Sequence, residues 1–96
     1  MEVSYKSKKL ERICTDFSEA SRKHGKRMAK LIHQRIYELV AADSVDMLVK
    51  FKIGRCHSLD GKRDGQFAMD LEHPHRLIFE STDLGSIHVV EIVDYH

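Results

Sequence analysis

The sequence predicts an α+β fold of element order β-α-α-β-β-β, with two N-terminal helices packed on one face of a small antiparallel sheet. Three observations predict it. Apolar residues recur at helical spacing between Leu10 and Val40. The period then changes to two, with Phe67, Met69 and Leu71 alternating with Gln66, Ala68 and Asp70. Short turn signals, Asp60 to Gly65 and His73-Pro74, separate the later runs.

In chain order, Glu2 to Tyr5 reads as a short strand with Val3 and Tyr5 on one side. Ser7 is placed to cap the helix that follows, whose stripe is Leu10, Ile13, Cys14 and Phe17. A second helix starts between Ser18 and Lys26 and runs to Ala42, with Gly25 marking a break or a weak point. Its stripe is Met28, Leu31, Ile32, Ile36, Leu39 and Val40. Asp43-Ser44 can cap one more short turn, Val45 to Leu48. A short strand carries His57 and Leu59, and the two glycines of the Asp60–Gly65 turn can take positive φ angles. The alternating run Gln66 to Leu71, the strand from Arg76 to Phe79, a turn from Thr82 to Gly85 and the β-branched strand Ile87 to Val93 complete the order. One face of the sheet takes both helices, which leaves the other face to form a site.

Ninety-six residues make one domain, 1–96, around a single modest core. No apolar run approaches the ~18 residues of a membrane span and no signal-peptide pattern appears, so the expected compartment is the cytoplasm, with no membrane partner. Cys14 and Cys56 form no CxxC pair and read as reduced thiols, Cys14 in the core. The net charge of +1 conceals a split. Residues 1–35 carry ten Lys or Arg against four acids, and residues 36–96 carry six against eleven. Lys26, Arg27 and Lys30 thus belong to a basic helical face suited to a polyanion or an acidic partner, or to a solvated surface.

Chemistry-bearing residues gather on the meander from Arg55 to Phe79. Arg55, His57, Lys62, Arg63 and Arg76 lie within it, and the terminal Asp94-Tyr95-His96 follows an apolar strand that could return the imidazole beside it. Five of the seven histidines lie from residue 57 onward. Imidazoles exchange protons near neutral pH, so a pair such as His57 and His96 suits general acid–base work. Arg and Lys would hold a phosphate and neutralise the charge that builds during attack. Cleavage of RNA by its own 2′-OH needs these parts and no metal, and Tyr95 could stack on a base or lend its hydroxyl. A second possibility is a zinc pair at His73 and His75 with Asp70 and Glu72 nearby, although no third ligand is well spaced. No GxSxG, P-loop or GxGxxG motif is present, which leaves acyl-transfer and nucleotide sites without support.

The chain resembles the HigB-type toxins, the plasmid maintenance killer branch of the RelE/ParE superfamily. The likeness runs through KSKKLERICTD, HGKRMAKLIHQRIYELVAADSVDML, RCHSLDGKRDGQFAMDLEHPHRLIFE and the terminal VVEIVDYH. It implies a RelE-like, microbial-RNase-like fold and a ribosome-dependent mRNA endonuclease without cofactor or metal. It also implies neutralisation by a helix-turn-helix antitoxin of the HigA type, with operator DNA met only through that antitoxin. By position, the resemblance assigns catalytic roles to His57, Arg76, Asp94, Tyr95 and His96. Arg55, Lys62, Arg63, Lys26, Arg27 and Lys30 would then contact ribosomal or messenger RNA. One departure stands out: the family often has Leu-Lys-Gly where this chain has Leu59-Asp60-Gly61, so Lys62 would have to replace that lysine from two residues away. The alternative is a non-catalytic or degenerate superfamily member that binds its antitoxin or another target.

Overall fold

In the computed structural model, residues 1–82 and 85–94 are described. Strand β1 (Val3–Tyr5) leads into helix α1 (Lys8–Thr15), whose first turn is capped by Ser7 Oγ accepting from the Leu10 amide at 3.1 Å. The helical region then breaks twice. Asp16 leaves helical geometry, ends α1 and caps α2 (Phe17–His24) by accepting from the Ser18 and Glu19 amides. Gly25, at φ +86°, ends α2 and starts α3 (Lys26–Ala41). The expected two helices are therefore three segments, because a capping aspartate inside a continuous apolar stripe outweighs the stripe. Phe17 falls outside α1 and is exposed rather than core. Val40, expected on the apolar stripe of α3, is exposed as well. Helix α4 (Val45–Lys50) follows Ser44, which caps it through the Met47 amide.

The sheet holds β1, β2 (His57–Ser58), β3 (Gln66–Asp70), β4 (His75–Ser81) and β5 (Ile87–Asp94) in the order β1-β5-β4-β3-β2. Strands β2 to β5 pair antiparallel, as the short turns require. The first strand runs parallel to the last, Val3 beside Ile87 and Tyr5 beside Val89, so the sheet is mixed rather than wholly antiparallel. The helical crossover between them allows this, since a parallel partner needs a long connection.

Met28, Ile32, Leu39, Leu48, Met69, Leu77, Phe79, Ile87 and Val89 form the fully buried centre between helices and sheet. Phe67 is half-buried and stacks on Phe79 with ring centroids 5.4 Å apart. Cys14 and Cys56 are buried, and burial pushes their thiols up to about 12 and about 11. The opposite face of the sheet carries His57, Gln66, Asp70, Arg76, Glu80 and Glu91, set by register. Ala68 and Ile78 on that face are nonetheless buried. Arg63 crosses over it to hold Gln66 at 2.8 Å and Glu91 on β5. Among the described residues no helix is long and apolar enough to cross a membrane.

Candidate functional site

The site begins with a run of left-handed backbone between α4 and β2. Lys52, Gly54 and Arg55 have φ of +53°, +57° and +56°. Only glycine takes this geometry without strain. Gly54 is required for a second reason: a Cβ there would lie 2.7 Å from Arg35 Nε. Arg35 in turn spans the gap from α3, its Nε donating to the Asp70 carbonyl at 2.7 Å and its Nη1 to Glu38 at 2.9 Å. This largely buried arginine fastens the helical layer to the end of β3, beside the turn that carries Arg55.

Strained backbone at Arg55 aims two groups. Its guanidinium meets Asp70 at 3.3 Å, and its carbonyl accepts from His57 Nδ1 at 2.9 Å. A carbonyl can only accept, so Nδ1 carries the proton and Nε2 of the neutral ring keeps its lone pair. His57 is therefore held in the tautomer of a base. Asp70 also takes Arg76, its register partner on β4, at 3.4 Å. Its Oδ1 is shielded from water and accepts no well-aligned hydrogen bond, so the Arg76 contact is an ion pair rather than a directed bond.

Two guanidiniums on one carboxylate form one wall of a cleft of about 260 Å³, lined also by Leu71, His73, Pro74 and His75. His75 Nε2 lies 4.0 Å from Asp94 Oδ2, its partner at the end of β5. The His75 ring also meets that of His24, at the end of α2, edge-on at 6.1 Å. Burial first, then His75 and Lys23, holds His24 below its ordinary range. Arg27 reaches Glu72 at 3.4 Å. The end of α2 and the basic start of α3 are thus each joined to the β3–β4 hairpin by one contact.

The expected site residues therefore separate into groups. Arg55, Arg76 and Asp94 come to one end of the sheet with His73 and His75, and Arg27 stands at its margin. His57 shares the sheet face with Arg76, but two strands and two residues put their Cα atoms roughly 12 Å apart. Asp94 is farther, roughly 17 Å from His57 by the same spacing. Arg63 is committed to Gln66 and Glu91. Lys26, Lys30 and Lys62 are exposed outside the cleft. Tyr95 and His96 lie outside the described residues, and with them the expected pairing of His57 with His96. Among the described residues no group of three or more His, Cys, Asp or Glu converges to hold a metal ion.

Asp70 as the shared partner of two arginines, and His24 and His75 as a ring pair, were not anticipated. The first was legible: a hairpin turning at His73 sets residues 70 and 76 opposite each other, and opposite charges there attract. The second depends on how α2 packs, which no local pattern encodes.

No family model matches the chain, and neither does any curated protein. Solved structures do match. A chain of the YoeB–YefM complex from Staphylococcus aureus is similar over 100% of this chain and 97% of its own, at 19% identity and a TM-score of 0.65. The YoeB/ParE toxin from Agrobacterium tumefaciens matches over the whole of both chains, at 15% identity and a TM-score of 0.66. A YafQ mutant from E. coli matches over 97% of this chain and 91% of its own, at 17% identity and 0.64. The chain has the fold of RelE-like toxins.

Proposed function

We propose that the protein is the toxin of a type II toxin–antitoxin system, a ribosome-dependent mRNA endonuclease cleaving by attack of the 2′-OH. The observation that carries this reading is Arg55, which turns a guanidinium to the cleft and fixes His57 as a base in one strained residue. Arg55 and Arg76 would hold the scissile phosphate and offset the charge of the phosphorane. His57 Nε2 would take the 2′-OH proton, and the Asp94-Tyr95-His96 tail, by its resemblance, would protonate the leaving oxygen. Lys26, Arg27, Lys30, Lys62 and Arg63 would contact ribosomal or messenger RNA. A HigA-like antitoxin would neutralise the protein and carry any contact with operator DNA. The reaction so written needs no cofactor, and the cytoplasm is where ribosomes are met.

A second reading, a superfamily member that binds without cleaving, is favoured by one observation. Asp70 already occupies both arginines, and a phosphate would have to compete with it. Single-turnover cleavage of ribosome-bound mRNA separates the two. The unsubstituted protein should cleave on ribosomes and not cleave free RNA. His57→Ala, Arg76→Ala and a chain ending at Asp94 should each lose on the order of 10²–10⁴-fold in rate while keeping the native circular dichroism spectrum. Absence of cleavage by the folded, unsubstituted protein would decide for the second reading.

A further inference from the structure

Register puts an apolar strip on the sheet face opposite the helices. His57 on β2, Ala68 on β3, Ile78 on β4 and Glu91 on β5 stand side by side in one row across the strands. Ala68 and Ile78 are fully buried, yet neither belongs to the core between helices and sheet. The rows on either side are polar, Gln66 with Glu80 on one and Asp70 with Arg76 on the other. An apolar strip beside His57 is a surface on which a nucleobase could stack, and in the free protein it is covered.

Arg63 lies across it. The loop from Asp60 to Gly65 turns on two left-handed glycines, Gly61 at φ +65° and Gly65 at φ +90°. Its backbone bonds close on the loop itself, the Arg63 amide donating to the Asp60 carbonyl and the Asp64 amide to that of Gly61. Every residue of the loop is exposed except Arg63. The Arg63 guanidinium reaches Gln66 Oε1 on β3 at 2.8 Å and Glu91 on β5, so the arm passes over β4, which runs between them. Gln66 extends the chain of bonds by donating to Glu80 at 3.0 Å. One side chain thus straps the loop down over the strip. With Arg63 on Glu91, and Arg55 and Arg76 on Asp70, the arginines of this face are already matched to carboxylates. A polyanion gains one only by exchange. The Arg63–Glu91 pair exchanges at small cost, since its side chains are 34% and 43% exposed.

We propose that Arg63 is the latch of a strap. In the free protein it holds Glu91 and closes the strip. A phosphate of single-stranded RNA draws the guanidinium off Glu91, the loop lifts, and a nucleobase stacks on Ala68 and Ile78 beside His57. The planar guanidinium fork fits two phosphate oxygens as it fits a carboxylate. An acidic peptide offers the carboxylates but no flat ring to cover the strip, which favours RNA. The inference rests on the nuclease reading for its ligand, and goes beyond it in stating that the free face is shut and which contact shuts it.

The test is a double-mutant cycle on Arg63 and Glu91. It is read by fluorescence anisotropy of a short labelled 2′-O-methyl RNA, which lacks the attacking hydroxyl and so reports binding alone. Glu91→Gln should tighten binding about 3- to 10-fold, because the latch is lost together with one negative charge. In an Arg63→Met background the same change should gain less than about 2-fold, because no latch is left to release. Arg63→Met alone should lower the slope of log affinity against log salt by roughly 0.7, the loss of one phosphate contact on a single strand. In the unsubstituted chain the methyl signals of Ala68 and Ile78 should shift when the RNA is added. Arg63→Ala and Glu91→Ala stand in for a variant that does not fold. Equal gains from Glu91→Gln in both backgrounds, an unchanged salt slope, unmoved methyl signals, no binding by any variant, or the same methyl shifts with polyglutamate would each overturn the proposal. Cleavage of ribosome-bound mRNA is scored apart. Cleavage with an additive cycle removes the latch and spares the nuclease reading; a coupled cycle without cleavage does the reverse.

Discussion

Replacing Arg55 by alanine and by glycine separates its backbone role from its side-chain role. Both variants lose the guanidinium, so the lost contact with Asp70 cancels in the comparison. That contact is weak in any case, because the Arg55 side chain is 80% exposed and surface pairs contribute about 0–1 kcal/mol. What remains is φ +56°. A residue with a Cβ in the left-handed region costs about 1–2 kcal/mol, and glycine there costs almost nothing. Against this, glycine loses about 0.5–1 kcal/mol more chain entropy on folding than alanine. The net expectation is that Arg55→Gly is more stable than Arg55→Ala by about 0.5–1 kcal/mol. For a domain of this size that is a difference of about 2–8 °C in thermal midpoint. Thermal and urea unfolding by circular dichroism measure it directly. If the glycine variant unfolds at or below the alanine variant, Arg55 is not strained and the argument that strain is kept here to aim it collapses.

Gly54→Ala should destabilise by about 2–3 kcal/mol, since strain at φ +57° adds to displacement of Arg35 from the Asp70 carbonyl; a urea midpoint equal to that of the unsubstituted chain would contradict the packing described. His24 has a depressed pKa in the folded state, so the unfolded chain binds its proton more readily. Its contribution is complete above the unfolded value near 6.5 and is lost as pH falls through the lower folded value. The thermal midpoint should fall less between about pH 7.5 and 5.5 in His24→Gln than in the unsubstituted protein, and an equal or steeper fall in the variant would count against it. The two buried thiols, raised to about 12 and about 11, leave thiolate fractions of roughly 10⁻⁴ and 10⁻³ at about pH 8. Ellman's reagent should therefore titrate both cysteines only after denaturation, and rapid labelling of the native protein would show that one of them is open to solvent.

Periodicity made the core and the later strands legible. The stripe Met28, Ile32 and Leu39 is buried, and Met69 with Leu71 faces the core as alternation requires. What it missed were local hydrogen bonds that compete with the pattern. Asp16 sits where the Leu10–Phe17 stripe runs on, yet its side chain satisfies two amides of the next segment and ends the first. The parallel pairing of β1 was illegible for another reason. Three residues with one apolar side carry no direction, and only the crossover through the helices sets it. At the site, the sequence placed Arg55 and Arg76 on one meander, and the structure sets both against Asp70. It could not show that Arg35, counted only as a charge, is packed against the Cβ position of Gly54.

The two arginines of the cleft are not equivalent, and the difference bears on how an anion could enter. Asp70 cannot swing away: its carbonyl is tied to Arg35 and its carboxylate is partly buried at the end of β3. Any phosphate must therefore draw a cation from it. Arg76 is two-thirds covered and fixed by strand pairing between Asp70 and Val93. Arg55 is mostly in water, so releasing its ion pair costs little, and its backbone is the strained one. In the proposed reaction Arg55 would be the cation that shifts toward a phosphate, while Arg76 would contact it from its fixed place beside Asp70. Because the Arg55 carbonyl also holds His57 Nδ1, a backbone adjustment that moves the guanidinium also moves the base. On the proposed reading, one residue would thereby couple anion binding to the position of the group that accepts the proton.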